Sequence, residues 1–198
     1  MPDEPTPPGR RADARRNRER ILEAAREVIG EQGTDASLRD VARRAEVGLG
    51  TLYRHFPNRD TLLEALLRTG FGTLTAQADA LADTELPPEG ALADWLGEFI
   101  VWAGTFRGLP ASLTATLADP DSALHASCLG MREAGGRLLR AAQDAGRIRP
   151  DVDGTDLFAL VNALSWITGQ APTLAARRDH LLALVLDGLA HPGSRPNG

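Results

Sequence analysis

The chain has 198 residues, a net charge of −5 and a single cysteine, Cys128. That length can bury a full core without staples. One cysteine excludes an intramolecular disulfide, and the longest late apolar run, residues 181–186, is far short of the roughly 20 residues that span a bilayer. With no apolar segment behind the N-terminal arginines, neither a signal peptide nor a twin-arginine export peptide is expected, and a reducing cytoplasmic setting fits.

The acidic total argues against indiscriminate nucleic-acid binding, but the charge is uneven. Residues 1–68 carry 13 arginines against 12 acids, and residues 69–198 carry 9 against 15. A relatively basic first third suits either an anionic partner or a merely solvated surface. All 22 basic residues are arginine; guanidinium forks suit phosphate and guanine edges, although biased codon usage accounts for the same composition.

Residues 1–14 read as a disordered basic arm, proline-rich at first and then entering the arginine cluster Arg10 to Arg20. Such an arm would enter a minor groove, track phosphates, or serve as a solubilising tail. Ile21, Leu22, Ala25, Val28 and Ile29 recur at spacings of three and four, one face of an amphipathic helix that should stop near Gly30 to Gly33. Ser37 can cap a second, short helix with Asp40 in its first turn and Leu38, Val41, Ala42 and Ala45 on one face. A turn over 46–49 follows, then a third helix over 50–56 with Leu52 and Phe56 on one side. Pro57 ends it, and Asn58 caps a fourth helix carrying Leu62, Leu63, Leu66, Leu67, Phe71 and Leu74. After the loop 83–90, helices are expected over 91–106, 111–118, 122–146, 154–169 and 174–190, separated by proline- and aspartate-rich turns. No strand-like alternation and no internal repeat is evident. The expected fold is all-α, with about nine helices.

Two glycines one residue apart, Gly48 and Gly50, invite a nucleotide-site reading. A dinucleotide fingerprint would need a third glycine where Tyr53 stands, and a preceding strand; a P-loop would need a lysine, which the chain lacks. The lengths of residues 37–45, 46–49 and 50–56 instead match a helix-turn-helix.

The residues of this region then carry a likeness. The stretch "SLRDVARRAEVGLGTLYRHFPNRDTLLEALL", preceded by "RERILEAAREVIGEQG", resembles the DNA-binding domain of the TetR family of transcriptional regulators, over roughly residues 15–75. The resemblance implies an N-terminal three-helix helix-turn-helix DNA-binding domain over 15–75, with the helix-turn-helix itself at 37–56. It also implies a helical effector-binding and dimerisation domain over 76–192, and a tail over 193–198. It implies roles for single residues. Ser37 would cap its helix and offer a phosphate contact, and Arg39 would reach a phosphate or a guanine. Thr51, Tyr53 and His55 are similar to the family's phosphate- and base-contacting positions; Leu49, Gly50 and Arg54 sit where base edges are read; Arg59 matches a basic phosphate clamp. Partial burial of Tyr53 against the first helix, and a plain surface role for His55, are the bland alternatives. At Glu46 and Gly48 the family often has glycine and serine. A non-glycine residue in a left-handed turn costs about 1–2 kcal/mol, so the strain falls on Glu46 or shifts to Gly48, which is also expected on the DNA-binding side but lacks a phosphate-binding hydroxyl.

The last two long helices are apolar over a wide arc. Leu181, Leu182, Leu184, Val185, Leu186 and Leu189 span about 200° at roughly 100° per residue, and Leu157, Leu160, Val161 and Leu164 belong to a similarly encircled helix. A surface helix needs a stripe of only about 100°. Together with the resemblance this implies a two-fold dimer closed by Leu157, Leu160, Val161, Leu164, Leu181, Leu182, Val185 and Leu189. A fully internal helix pair in a monomer is the alternative. The family also encloses a small-molecule pocket in its middle helices, for which Trp95, Phe99, Trp102, Phe106, His125, Cys128, Met131, Asn162 and Trp166 are the large or polar candidates. Cys128 reads as a redox sensor or as inert packing.

His55, His125, His180 and His191 form no metal-ligand pattern, and no nucleophile elbow, Cys-x-x-Cys or His-Glu-x-x-His motif occurs. No enzyme, cofactor or metal is expected. The resemblance implies a ligand-responsive regulator, a repressor, that binds a near-palindromic operator as a dimer and is released by a small, mostly apolar effector. The alternative is a helical small-molecule- or protein-binding dimer without DNA binding, for which Glu46 and the acidic total speak.

Overall fold

Helix α1 (Pro8–Gln32) opens the computed structural model, which describes residues 8–106, 109 and 111–190. Residues 8–14 were expected to be disordered and are instead helical. Pro8 suits a first helical turn, and Asp13–Arg16 and Arg15–Glu19 pair at helical spacings of three and four. Residues 1–7 of the expected arm and the expected tail, 193–198, lie outside the described residues. Gly33, with φ of 84°, ends α1 by donating its N–H to the Ile29 carbonyl at 2.7 Å.

Two short helices follow, α2 (Leu38–Arg44) and α3 (Leu49–His55), and then α4 (Arg59–Ala82). Asn58 and Thr61 cap α4 reciprocally, the Asn58 side chain accepting from Thr61 N–H at 2.9 Å. Helix α4 does not stop where the first domain was expected to end. It continues past residue 75 and packs its second half along α7, so one rigid element belongs to both parts of the molecule.

The remaining helices are α5 (Pro88–Thr105), α6 (Ala111–Ala118), α7 (Ala123–Asp144), α8 (Gly154–Thr168), α9 (Pro172–Ala175) and α10 (Arg178–Leu189). Ten helices are therefore described where about nine were expected. The helix expected over 174–190 is broken at Arg177, whose N–H closes back on Leu174 at 3.0 Å, and the apolar period alone does not register a one-turn interruption. No strand occurs among the described residues beyond a single bridge between Ile148 and Ala190. No described helix is long and apolar enough to cross a membrane.

Starts of helices follow their side chains. Asp153 accepts from the N–H groups of Thr155 at 2.7 Å and Asp156 at 3.0 Å, which caps α8 and holds the Asp153 carboxyl below its ordinary range. The core of the second part is an aromatic seam on α5. Phe71 meets Trp102 with ring centres 5.0 Å apart, Trp102 meets Phe106 at 5.1 Å, and Trp95 meets Phe99 at 5.4 Å. Glycines on the facing helices make room for the indoles. A Cβ on Gly135 of α7 would stand 2.2 Å from Trp95, and one on Gly70 of α4 would stand 1.9 Å from Trp102. The Trp95 N–H donates to the Leu74 carbonyl at 2.9 Å, which locks α5 to α4.

Candidate nucleic-acid interface

The reading head is the corner of α2, its turn and α3. Ser37 caps α2, its Oγ accepting from Arg39 N–H at 3.2 Å. Leu52 and Phe56 are buried as expected, and with Val41 and Ala42 they fix α3 across α2. Their burial sets which face of α3 points outward: Gly50, Tyr53 and Arg54 are exposed, with Thr51 and His55 half-buried at the margins. Tyr53 is 46 % exposed, so its ring is not packed away against α1.

The turn answers the question posed by its sequence. Glu46 takes the left-handed conformation with φ of 52°, while Gly48 has an ordinary φ of −65° and serves as the N-cap of α3 without a side-chain hydrogen bond. The strain therefore sits on the glutamate and does not shift to Gly48. Arg20 of α1 reaches across to this turn. One nitrogen of its guanidinium donates to the Ala45 carbonyl at 2.7 Å and to the Glu46 carboxylate at 3.2 Å, so the acid is turned toward α1.

Two further contacts tie α1 to the head. The Arg18 guanidinium lies over the Phe56 ring, 5.4 Å from its centre. Arg44 of α2 bridges Glu27 at 2.8 Å and Glu31 at 3.1 Å, which are one turn apart on α1. Three arginines thus clasp the corner, and the sequence reading assigned two of them, Arg18 and Arg20, only to the arm's general charge. No spacing in the sequence distinguishes Arg18 and Arg20 from the other arginines of α1; their partners are visible only in three dimensions.

The expected DNA contacts differ in readiness. Arg39 is exposed at the start of α2. Arg54 is folded back on its own helix, donating to Thr51 Oγ1 at 3.0 Å and to the Gly50 carbonyl at 3.3 Å, so it must unfold from α3 to reach a base. Arg59 pairs loosely with Asp35 at 3.4 Å, and its buried Nε has no partner among the described residues. Such a loose surface pair contributes little to stability and leaves the fork free to exchange Asp35 for a phosphate.

The expected ligand residues do not form one pocket. Trp95, Phe99 and Met131 are buried core, and the space left near Trp95, between α5, α7 and α8, is about 10 Å³, too small for a ligand. Asn162 is exposed and bonds its own helix at the Phe158 carbonyl, Trp166 is 62 % exposed, and His125 is tied to the Leu117 carbonyl at 2.9 Å. Cys128 is buried, and burial raises its thiol pKa against a smaller opposing effect of Arg132, so the inert-packing reading holds over the redox one. Only Trp102 and Phe106 line a cavity of useful size, about 430 Å³, and it lies elsewhere, between α1, α4 and α5. Aromatic spacing along one helix identifies the seam but not where neighbouring helices leave a gap, which is why Glu98, Thr73 and Leu22 were missed.

Among the described residues no group of three His, Cys, Asp or Glu side chains is placed to hold a metal. The expected dimer residues also divide. Leu157, Val161 and Leu182 are largely buried within the chain itself, whereas Leu160, Leu164, Leu181, Val185 and Leu189 are half-buried.

Comparison with known proteins agrees with this architecture. A family model described as "Bacterial regulatory proteins, tetR family" matches residues 21–66, and one described as "Transcriptional regulator SbtR-like, C-terminal domain" matches residues 87–191. The chain is 32 % identical over 150 residues to the HTH-type transcriptional regulator UidR of Escherichia coli K12, covering 71 % of this chain and 74 % of UidR. It is 41 % identical over 69 residues to the HTH-type transcriptional repressor KstR of Mycolicibacterium smegmatis, 34 % of each chain. The crystal structure of the TetR transcriptional regulator SCO0520 from Streptomyces coelicolor superposes with a TM-score of 0.71 at 39 % identity, covering 88 % of this chain and 99 % of that one. With an exposed α3 on a clasped corner and a matching helical body behind it, the chain belongs to the TetR family, and it is a DNA-binding transcriptional regulator and not an enzyme.

Proposed function

We propose that this regulator is a repressor that grips a near-palindromic operator as a homodimer and releases it when a small, mostly apolar effector binds. The observation that carries the operator reading is the outward face of α3, where Gly50, Tyr53 and Arg54 are exposed opposite the buried Leu52 and Phe56. Arg39 and Arg59 flank that face as phosphate contacts, with Ser37 and His55 beside them. Gly50 leaves open space where a side chain would stand, which lets backbone approach a base edge.

One seven-residue helix makes few base contacts. Two of them, set about 34 Å apart, read successive major grooves. Support for a second copy comes from α8 and α10, which pack side by side and leave Trp166, Ile167 and Leu184 exposed. Large apolar residues exposed on two neighbouring helices suit an interaction surface, and they would extend the dimer face proposed on α8 and α10. The repressor sign rests on KstR, which is named a repressor and whose likeness covers about a third of the chain. A protein with this task works in the cytoplasm, where its operator is.

Selection of bound sequences from a pool of random duplexes tests the proposal. The expected outcome is an enriched near-palindrome with half-site centres one helical turn apart, or a multiple of that. A pool that stays unenriched at low salt favours the alternative, a helical binding dimer that no longer reads DNA.

A further inference from the structure

The cavity between α1, α4 and α5 has a volume of about 430 Å³, within the roughly 300–1,000 Å³ of small-molecule sites. Its floor is apolar, with Leu22 from α1, Leu66 and Leu74 from α4, and Trp102 and Phe106 from α5. Its mouth is acidic. Glu19, Glu23 and Glu98 face it with one cation, Arg26. Glu23 is occupied by Arg26 at 2.6 Å and Glu19 by Arg15 at 3.5 Å, whereas Glu98 has no ion pair or hydrogen bond among the described residues. Glu98 stands one helical turn before Trp102, so the open carboxylate and the indole share a face of α5. The Trp102 ring is drawn over α4 by the absence of a side chain at Gly70. Its N–H, unlike that of Trp95, finds no acceptor among the described residues.

We propose that this junction cleft is the effector site and that it takes an amphiphilic cation. The ligand would lay an apolar body against Leu22, Leu74 and Phe106 and place one ammonium between Glu98 and the Trp102 face. An uncompensated carboxylate beside an aromatic face selects positive charge from neutral and negative compounds of the same shape. This rests on the reading of the protein as an effector-released operator binder, and it supplies the coupling that reading needs. The wall residues Glu19, Leu22, Glu23 and Arg26 lie on one face of α1. Arg18 and Arg20, which flank Glu19 on the same helix, hold Phe56 and the α2–α3 corner. A ligand that displaces α1 from α4 and α5 therefore moves the clasp of the reading head, which is the differential contact a population shift requires.

Decylammonium, decanol and decanoate share one apolar body and differ in charge. Calorimetric titration of the full chain at neutral pH should show decylammonium binding about tenfold tighter than the other two. Glu98→Gln should erase that ratio, and Thr73→Phe, which fills the cleft from α4, should remove binding of all three. Decylammonium should also weaken a selected operator complex about tenfold or more. Equal binding of the three probes, a ratio that survives Glu98→Gln, or binding that leaves operator affinity unchanged would each overturn the proposal. Operator binding with no decylammonium uptake at millimolar concentration defeats the cleft and leaves the operator reading intact. Charge-selective uptake without any operator defeats that reading and leaves the ligand site standing.

Discussion

At the α2–α3 corner a single glutamate holds a backbone conformation that glycine would adopt without strain. The left-handed region costs a non-glycine residue about 1–2 kcal/mol, and the exposed Arg20–Glu46 pair returns little of that. Glycine at the same place loses about 0.5–1 kcal/mol through its freer unfolded chain. Glu46→Gly should therefore raise stability by about 0.5–1 kcal/mol in urea unfolding, and it should tighten operator binding by removing an acid from the corner and freeing Arg20. Lower stability would mean that the arginine clasp outweighs the strain. The residue types at 46 and 48 made the strain legible in the sequence; which of the two bears it is read only from the folded backbone, and the Arg20 contact that meets the acid comes from twenty-six positions away. The same is true of Arg54, whose folded-back posture is decided by Thr51 beside it and not by its place in a motif.

Between helices, the body is held by indoles seated on glycine notches. Gly135→Ala puts a methyl group 2.2 Å from the Trp95 ring and must push that ring, and its hydrogen bond to Leu74, out of place. The expected cost is about 1–3 kcal/mol by thermal or urea unfolding, with the midpoint shift accompanied by a change in tryptophan emission. An unchanged midpoint would mean that α5 and α7 can slide apart freely. Helix existence was readable from apolar spacing and caps, as with Asn58 for α4 and the aspartate-rich turn before α8. Their pairing was not, because the residues that decide it are glycines, which carry no apolar signal. For that reason Trp95 and Trp102 looked alike in the sequence, yet one is sealed in the core and the other lines the junction cleft.

As a whole, the molecule offers a reading head at one end and an apolar α8–α10 face that one chain cannot cover. Trp166→Asp combined with Leu184→Asp should yield monomers in analytical ultracentrifugation, and operator affinity should fall by about 100-fold or more as two linked heads become one. Dimers that persist would move the interface away from α8 and α10. The all-α class and the head were legible because the corner needs particular residue types at fixed spacing. The cleft and the dimer face were not, since each is the remainder after packing and belongs to no local motif. Helix α4, 24 residues without a break, has a separate consequence for how such proteins diversify. At about 1.5 Å per residue it is a rod of about 36 Å, shared by head and body. A new body can be joined to an old head only in helical phase, because one inserted residue would turn everything beyond it by roughly 100°. Recombination within the rod is thus restricted to changes that restore whole turns.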